Sequence, residues 1–163
     1  MTYTAPNESG AAVIVRPLTL EELPEALRLL QAAEVDSSPA NPTRVEEQEA
    51  ELRQALTSDS FWLLLATVEG QAVGCASLVR IPKLDHRHGF LFVDELYVAH
   101  EFRRRGVATN LLQAAQELAK RERCTGIRLL VRPGNLAARA LYRRLHYMEH
   151  DAILCELRDD TPV

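Results

Sequence analysis

The sequence has few cysteines and no long apolar run, and both absences limit the class of protein. Its three cysteines, Cys75, Cys124 and Cys155, are widely spaced in a chain of 163 residues. Because no two of them have metal-ligand spacing, we expect free thiols in a reducing compartment and neither a zinc site nor a disulfide framework. No apolar stretch approaches the ~20 residues of a membrane span. The first twelve residues lack a signal-peptide pattern, so a cytoplasmic location without a membrane partner is predicted.

The charge balance also argues against one class of partner. The formal net charge is −4, with 47% hydrophobic and 26% charged residues. A net negative chain is not expected to bind nucleic acid by general electrostatic attraction. The length fits one domain with its own core. We assign that domain to residues 13–163 and treat residues 1–12 as a flexible N-terminal segment.

Apolar periodicity predicts a mixed α/β fold. The predicted strands cover residues 13–15, 61–68, 72–81, 90–98 and 127–131, with one or two more over 147–157. Two helices follow Thr19 and Thr43, each of which stands three residues before a glutamate in a capping-box pattern. Two further helices cover residues 106–121 and 135–145. The order β-α-α-β-β-β-α-β-α-β predicts a mixed sheet with helices on both faces.

A basic loop lies between a predicted strand and a predicted helix, and reads Arg103-Arg104-Arg105-Gly106-Val107-Ala108-Thr109. A helix N-terminus presents unpaired backbone N–H groups and the positive end of the helix dipole, and both favour an anion. Gly106 lets the backbone approach closely because it has no Cβ atom. The pattern predicts a pyrophosphate site with arginine charge at its rim. A merely solvated basic surface is the alternative that this loop leaves open.

Three motifs, taken in order, resemble the GNAT superfamily of N-acetyltransferases. The loop Arg103-x-x-Gly106-x-Ala108 is similar to the family's Arg/Gln-x-x-Gly-x-Gly/Ala loop. The preceding Asp94-Glu95-Leu96-Tyr97-Val98 is similar to its central strand, and Val131-x-x-x-Asn135-x-x-Ala138-x-x-Leu141-Tyr142 to its second signature. The resemblance covers about residues 13–157. It departs at His146-Tyr147, where the family usually has Gly-Phe or Gly-Tyr, and histidine adopts a left-handed cap conformation only at a cost.

The resemblance implies a single domain with a central, mostly antiparallel, twisted sheet, a splayed pair of parallel strands and about four flanking helices. It also implies an enzyme that transfers an acetyl group from its co-substrate acetyl-CoA to a primary amine of a small molecule or a protein. The amine attacks directly, without an acyl-enzyme and without a metal. A homodimer through a sheet edge or the C-terminal strand is compatible with the sequence, which does not decide the point.

The same resemblance assigns the contacts to acetyl-CoA. The splayed strands would be residues 90–98 and 127–131, and the backbone of Leu96 and Val98 would bind the pantetheine arm as an added strand. The N–H of Leu96 or Tyr97 would polarise the thioester carbonyl. The amides of residues 104–109 and the Thr109 hydroxyl would bind the pyrophosphate. The complete cofactor-binding set is Leu96, Tyr97, Val98, Arg103, Arg104, Arg105, Gly106, Val107, Ala108, Thr109, Asn135, Ala138 and Tyr142.

Three residues are candidates for the chemistry. Tyr142 matches the family tyrosine near the CoA sulfur, and a phenol with a pKa near ~10 can protonate the leaving thiolate. Packing of Tyr142 on the sheet is the alternative, just as Asn135 caps its helix, contacts the cofactor, or does both. Asp94 and Glu95 are candidate bases for the incoming amine, and neighbours on a strand face opposite ways unless a bulge intervenes. We favour Glu95, with Asp94 or a water chain as alternatives.

The acceptor leaves no readable signature. We place its selectivity in residues 34–53 and 81–90, where His86 and His88 either line the acceptor site or are exposed bystanders. Four glutamates favour a cationic amine or simply form an exposed helix face; they are Glu46, Glu47, Glu49 and Glu51. The alternative function is a non-catalytic CoA-binding sensing module. Nucleic-acid binding by the arginine loop is a third reading, against which the net charge weighs.

Overall fold

The computed structural model of this protein describes residues 2–6, 12–33, 42–85 and 88–157. It divides into two compact units, Met1–Leu130 and Val131–Val163, which are considered one after the other. The extent of the domain predicted over residues 13–163 stays a prediction. No helix in the described ranges is long and apolar enough to cross a membrane.

The first unit is built on a six-stranded sheet in the order β1-β2-β3-β4-β5-β6. Its strands are β1 Tyr3–Pro6, β2 Ala12–Pro17, β3 Phe61–Val68, β4 Gln71–Ile81, β5 Phe90–Val98 and β6 Gly126–Leu129. Neighbouring strands are antiparallel except β5 and β6, which are parallel. The prediction of a mostly antiparallel sheet with one parallel pair is confirmed.

Helices cover both faces of this sheet, as predicted. The first unit contains α1 Leu23–Ala33, α2 Pro42–Ala55 and α3 Val107–Arg121, and the second contains α4 Leu136–Arg144. The side chain of Cys75 packs into the cluster formed by α1 and neighbouring strands. A Cβ atom on the preceding Gly74 would instead face Val107 and Leu111 of α3. Because successive strand residues point to opposite faces, α1 and α3 lie on opposite sides of the sheet.

Two N-terminal features differ from the expectation. Within the segment expected to be flexible, Tyr3–Pro6 forms β1, which pairs with β2. Its Tyr3 hydroxyl donates a hydrogen bond to Gln113 Oε1 on α3 at 2.6 Å. Such a short edge strand depends on partners far along the chain, so local composition did not reveal it. The helix predicted to follow Thr19 begins only at Leu23, after a turn, and Leu20 before it is 44% exposed.

The strand predicted over residues 147–157 is wrong. These residues are described and form neither a helix nor a strand. Ile153 and Leu157 are 91% and 99% exposed, so their apolar side chains are not part of a core. Apolar composition alone does not make a strand, since its backbone groups need a paired neighbour. The predicted strand over 127–131 is also shorter in the structure, where β6 ends at Leu129.

An ion pair joins β2 to the start of α1. Arg16 Nη1 donates to Glu22 Oε2 at 2.6 Å, and Arg16 Nη2 bonds the other oxygen. Glu22 also accepts from the Thr19 N–H at 3.0 Å, as the predicted capping box requires. The hydrogen bond from Arg16 is the main reason that the pKa of Glu22 falls from 4.5 to about 2. The carboxylate therefore holds the turn before α1 only while it is ionised.

We expect Glu22→Gln to lower the free energy of unfolding at neutral pH by about 1 kcal/mol, because the charged hydrogen bonds are lost. A lowered folded-state pKa means that the stabilisation is complete above 4.5 and disappears as the pH falls towards 2. Urea denaturation should therefore show the gap between wild type and variant closing across that range. Glu21→Gln, at an exposed neighbour, is the control and should show no such narrowing.

Helix α4 of the second unit ends in a left-handed cap at a histidine. His146 has φ 63°. Its N–H donates to the Arg143 carbonyl at 3.0 Å, and the Tyr147 N–H donates to the Tyr142 carbonyl at 2.9 Å. This pair of bonds is the Schellman motif, in which glycine normally takes the left-handed position. The His146 backbone therefore adopts the left-handed conformation that is unfavourable for histidine, and α4 still ends in a regular cap.

We expect His146→Gly to raise the free energy of unfolding by about 1 kcal/mol, because glycine lacks the Cβ clash of the left-handed region. The matched control is His150→Gly, since His150 has no positive φ. That change should be neutral or destabilising, because it only adds backbone freedom to the unfolded chain. Thermal and urea unfolding would measure both. Equal effects at the two positions would contradict the strain at His146.

Candidate functional site

Strand β5 contains one extra residue at its centre. Leu78 of β4 pairs with Val93 and the preceding Ser77 pairs with Glu95, which leaves Asp94 without a partner on β4. The buried Ser77 hydroxyl oxygen accepts a hydrogen bond from the Glu95 N–H at 3.0 Å. This bond stabilises the bulge. Ser77 was not singled out from the sequence, although a lone serine in an otherwise apolar strand was a usable signal.

The pairing of β5 with β6 stops at the same place. Only Phe90 to Val93 have partners on β6, namely Gly126 to Leu129. Over residues 94–98 the other edge of β5 has no paired strand in the part of the chain that the structure describes. The parallel pair is therefore open at its carboxyl end, where the resemblance expects the strands to splay.

The backbone alternation shows which groups face this open edge. The Ala99 N–H donates to the Val73 carbonyl of β4 at 2.9 Å. Since backbone groups alternate sides along a strand, those of Tyr97 also face β4, whereas those of Leu96 and Val98 face the open edge. Of the two N–H groups considered for polarising a thioester, only that of Leu96 is thus directed to the edge.

Beyond Val98 the chain makes a short 3-10 helix, His100–Phe102, and then the arginine loop. Within the described ranges, the backbone N–H groups of residues 104–109 donate to no acceptor. Arg104 has φ 59° and Gly106 has φ 82°, with Arg105 between them outside the positive region. Such alternation turns successive N–H groups into one concavity that binds anions. The start of α3 adds its own unpaired N–H groups and dipole.

The three arginines of the loop differ in what they contact. Arg103 Nε donates to the Val98 carbonyl at 3.0 Å. The Arg105 guanidinium lies 5.5 Å from the ring centroid of Phe102, a partner that sequence reasoning missed. Arg104 makes no side-chain hydrogen bond or ion pair with any described residue. Arg103 is thus hydrogen-bonded to the strand and Arg105 is stacked on Phe102, whereas Arg104 has no such contact among the described residues.

The two candidate carboxylates lie at the bulge, and both are exposed. The register places Glu95 beside Ser77 on the same face as Cys75 and Tyr97, the face that α1 covers. Burial, followed by the charge of Glu95, raises the pKa of the Cys75 thiol to about 12. That coupling is further evidence that Glu95 points to this face. Asp94 is the inserted residue, so the alternation of side chains along the strand does not fix the face of its carboxylate.

In the second unit, α4 carries the remaining predicted residues. Asn135 Oδ1 accepts from the Ala138 N–H at 3.1 Å, so its predicted role as a helix cap is confirmed. The half-buried Ala138 and the buried Tyr142 follow on the helix. Burial raises the pKa of the Tyr142 phenol above 10. The ring lies 5.8 Å from that of Tyr147, centroid to centroid. Tyr142 is therefore a neutral hydroxyl at physiological pH.

The residues considered for the acceptor are less informative. On α2, Glu46, Glu47 and Glu51 are exposed, and Glu49 is paired with Arg53 at 2.6 Å. His88 is exposed, while His86 lies outside the described residues, as do residues 34–41. No group of three or more potential metal ligands occurs among the residues that were described.

Comparisons with solved structures identify proteins of similar fold. Among solved structures, an aminoglycoside acetyltransferase from an uncultured soil metagenomic sample, in complex with sisomicin, matches with a TM-score of 0.77 at 15% identity, covering 90% of this chain and 95% of that chain. An aminoglycoside N-acetyltransferase in complex with CoA matches with a TM-score of 0.76 at 20% identity, covering 91% and 96%. A ribosomal-protein-alanine N-acetyltransferase from Brucella melitensis matches with a TM-score of 0.72 at 21% identity, covering 90% and 99%.

These structures share the fold at low sequence identity. No curated protein sequence matches the chain significantly. The sequence profile described as the acetyltransferase (GNAT) family matches residues 24–147. That match spans the open edge of β5, the arginine loop and α4. The chain therefore belongs to the GNAT family of acetyltransferases.

Proposed function

We propose that this protein is an acetyl-CoA-dependent N-acetyltransferase that acetylates a primary amine by direct attack. The observation that carries the proposal is the row of unpaired N–H groups at residues 104–109, which follows the unpaired edge of β5 after one short 3-10 helix. One anion and one extended amide chain can be bound there by backbone alone. Coenzyme A contains both parts in a single molecule. Membership of the family and the CoA complex of a similar structure support this assignment.

The loop would hold the pyrophosphate. The N–H groups of residues 104–109 face the anion with Gly106 at their centre, the Thr109 hydroxyl adds a donor, and the open Arg104 guanidinium adds charge. Backbone binding of this kind requires no side chain from Val107 or Ala108. It requires only that the backbone stay accessible, which explains the value of small residues here.

The open edge of β5 would hold the pantetheine arm. The arm is a chain of secondary amides, and an extended amide chain adds to a strand edge as another strand does. Leu96 offers its N–H and carbonyl, and Val98 offers its N–H. At the bulge, the Leu96 N–H is the candidate donor to the thioester oxygen, where negative charge develops during attack. Asn135 and Ala138 on α4 complete the proposed cofactor-binding set.

In the proposed reaction, Glu95 accepts a proton from the ammonium form of the substrate, with Asp94 as the second candidate. The amine nitrogen then forms a bond to the acetyl carbon, and the C–S bond breaks. Tyr142 supplies a proton to the departing thiolate and is reprotonated from solvent. The neutral phenol supports this role of Tyr142, because a group with a pKa above 10 retains its proton until negative charge develops on the sulfur.

The acceptor is proposed only as a primary amine. The exposed acidic face of α2 favours a cationic one, either a small molecule or a protein amino group. The similar structures include enzymes named for each kind of acceptor, an aminoglycoside and a ribosomal protein. A cytoplasmic location, which the free cysteines support, completes the proposal.

The first test compares Gly106 with Arg104. We expect Gly106→Val to weaken CoA binding at least thirtyfold (roughly 2 kcal/mol), because a β-branched side chain strains the left-handed backbone that shapes the anion-binding concavity. Arg104→Ala should weaken it only a few-fold, since one exposed charge contributes little. Isothermal titration calorimetry with CoA would measure both. Gly106→Asn is the control for strain, because asparagine tolerates positive φ. The opposite ranking of Gly106 and Arg104 would contradict backbone recognition.

The second test concerns Tyr142. We expect Tyr142→Phe to lower kcat about a hundredfold with little change in the KM for acetyl-CoA, because only the proton donor is removed. Tyr147→Phe, which alters the adjacent ring in the same way, should leave kcat unchanged. A thiol-release assay against polyamines, aminoglycosides, amino acids and N-terminal peptides would supply the rates. Tight binding of acetyl-CoA without thiol release for any acceptor would favour the sensing module instead.

A further inference from the structure

We propose that Arg103 is a positioning residue that holds the pyrophosphate loop at a set distance from the open edge of β5. The inference rests on the proposed function, since it concerns how two parts of one cofactor site are joined. Its basis is the hydrogen bond from Arg103 Nε to the Val98 carbonyl at 3.0 Å. The donor begins the arginine loop, and the acceptor ends the strand.

The acceptor lies on the edge that would otherwise be fully open. The backbone groups of Val98 face away from β4, so its carbonyl has no partner on that strand. Val98 is buried, and a buried carbonyl without a hydrogen bond is costly. The Arg103 guanidinium satisfies this carbonyl with a charged donor, which makes a stronger bond than a neutral one. The open edge is thereby limited to Leu96 and the Val98 N–H.

The donor is also held by its own backbone. The Arg103 N–H donates to the His100 carbonyl at 3.2 Å, and the Phe102 N–H donates to the Ala99 carbonyl at 2.9 Å. The next residue, Arg104, is already in the left-handed region that opens the concavity. Arg103 therefore stands at the junction of two segments with different tasks. Its side chain closes a short loop back onto the strand, so neither segment can move freely relative to the other.

This arrangement has a consequence for affinity. A ligand whose two parts bind two sites gains affinity when the spacing of the sites already matches the spacing within the ligand. Loss of the Arg103 bond should then weaken the binding of the whole cofactor more than that of either part. A direct phosphate contact by Arg103 would instead weaken every ligand that carries the pyrophosphate.

The experiment compares Arg103→Met, Arg103→Gln and Arg104→Met. Glutamine retains a planar N–H donor without the charge, whereas methionine retains the length without a donor. We expect Arg103→Met to raise the KM for acetyl-CoA about tenfold with kcat nearly unchanged, and Arg103→Gln to restore most of the loss. Inhibition by two fragments is measured beside it. They are pantetheine, and 3′-phosphoadenosine 5′-diphosphate, which retains the pyrophosphate; neither inhibition constant should change by more than about twofold.

Two results would overturn the inference. Equal losses for Arg103→Met and Arg103→Gln would show that charge matters and the hydrogen bond does not. A parallel loss of affinity for 3′-phosphoadenosine 5′-diphosphate would make Arg103 a direct phosphate ligand. Arg104→Met controls for the removal of charge from the same loop without removal of this bond.

Hydrogen exchange of the ligand-free protein separates this inference from the proposed function. If Arg103 holds the loop, the Phe102 and Arg103 amides exchange several-fold faster in Arg103→Met and at the wild-type rate in Arg103→Gln. Unchanged exchange in both variants would contradict the positioning role of Arg103, whatever ligand the protein binds. If the variants show the expected exchange rates but the wild-type protein does not bind CoA, the proposed function is wrong and the positioning role of Arg103 still holds.

Discussion

The extra residue in β5 is the constraint on which the rest of the site depends. Asp94 has no partner on β4, and the pairing of β5 with β6 ends at the preceding residue, Val93. A bulge of this kind bends its strand and increases the local twist. The Ser77 hydroxyl bonds the Glu95 N–H that a regular ladder would have bonded to a carbonyl. One buried serine thus stabilises an irregularity that opens a strand edge, sets the face of Glu95 and directs Leu96 outwards.

The groups that this candidate site leaves unpaired are mostly backbone groups. The open edge offers amides and a carbonyl, and the loop offers a row of N–H groups, so side chains are left to other tasks. The arginines show this division clearly. Arg103 bonds the strand, Arg105 stacks on Phe102, and Arg104 alone is free of side-chain partners among the described residues. A run of like charges that reads as one feature in the sequence therefore consists of three residues with different contacts.

Much of the fold could be predicted because its signals are local. The bounds of β5 agree with the prediction, α3 begins one residue after its predicted start, and Asn135 caps α4 as expected. Strands that depend on distant partners were harder to predict from the sequence. β1 was missed because its partner and the Gln113 contact lie elsewhere in the chain. Residues 147–157 were assigned a strand because apolar residues imitate one, although no described strand pairs with them.

The candidate site also has features that could be predicted from local sequence and features that could not. The sequence alone determined which residue types occur in the loop, the helix starts and the family motifs, because these depend on short-range chemistry: a glycine for positive φ, an asparagine for a cap. Only the tertiary structure decided which backbone groups face outwards, that Asp94 is inserted, and that Arg103 bonds Val98. Those features are set by the register between strands and by the path of the chain after β5. A register is a relation between distant segments, and no single segment of sequence contains it.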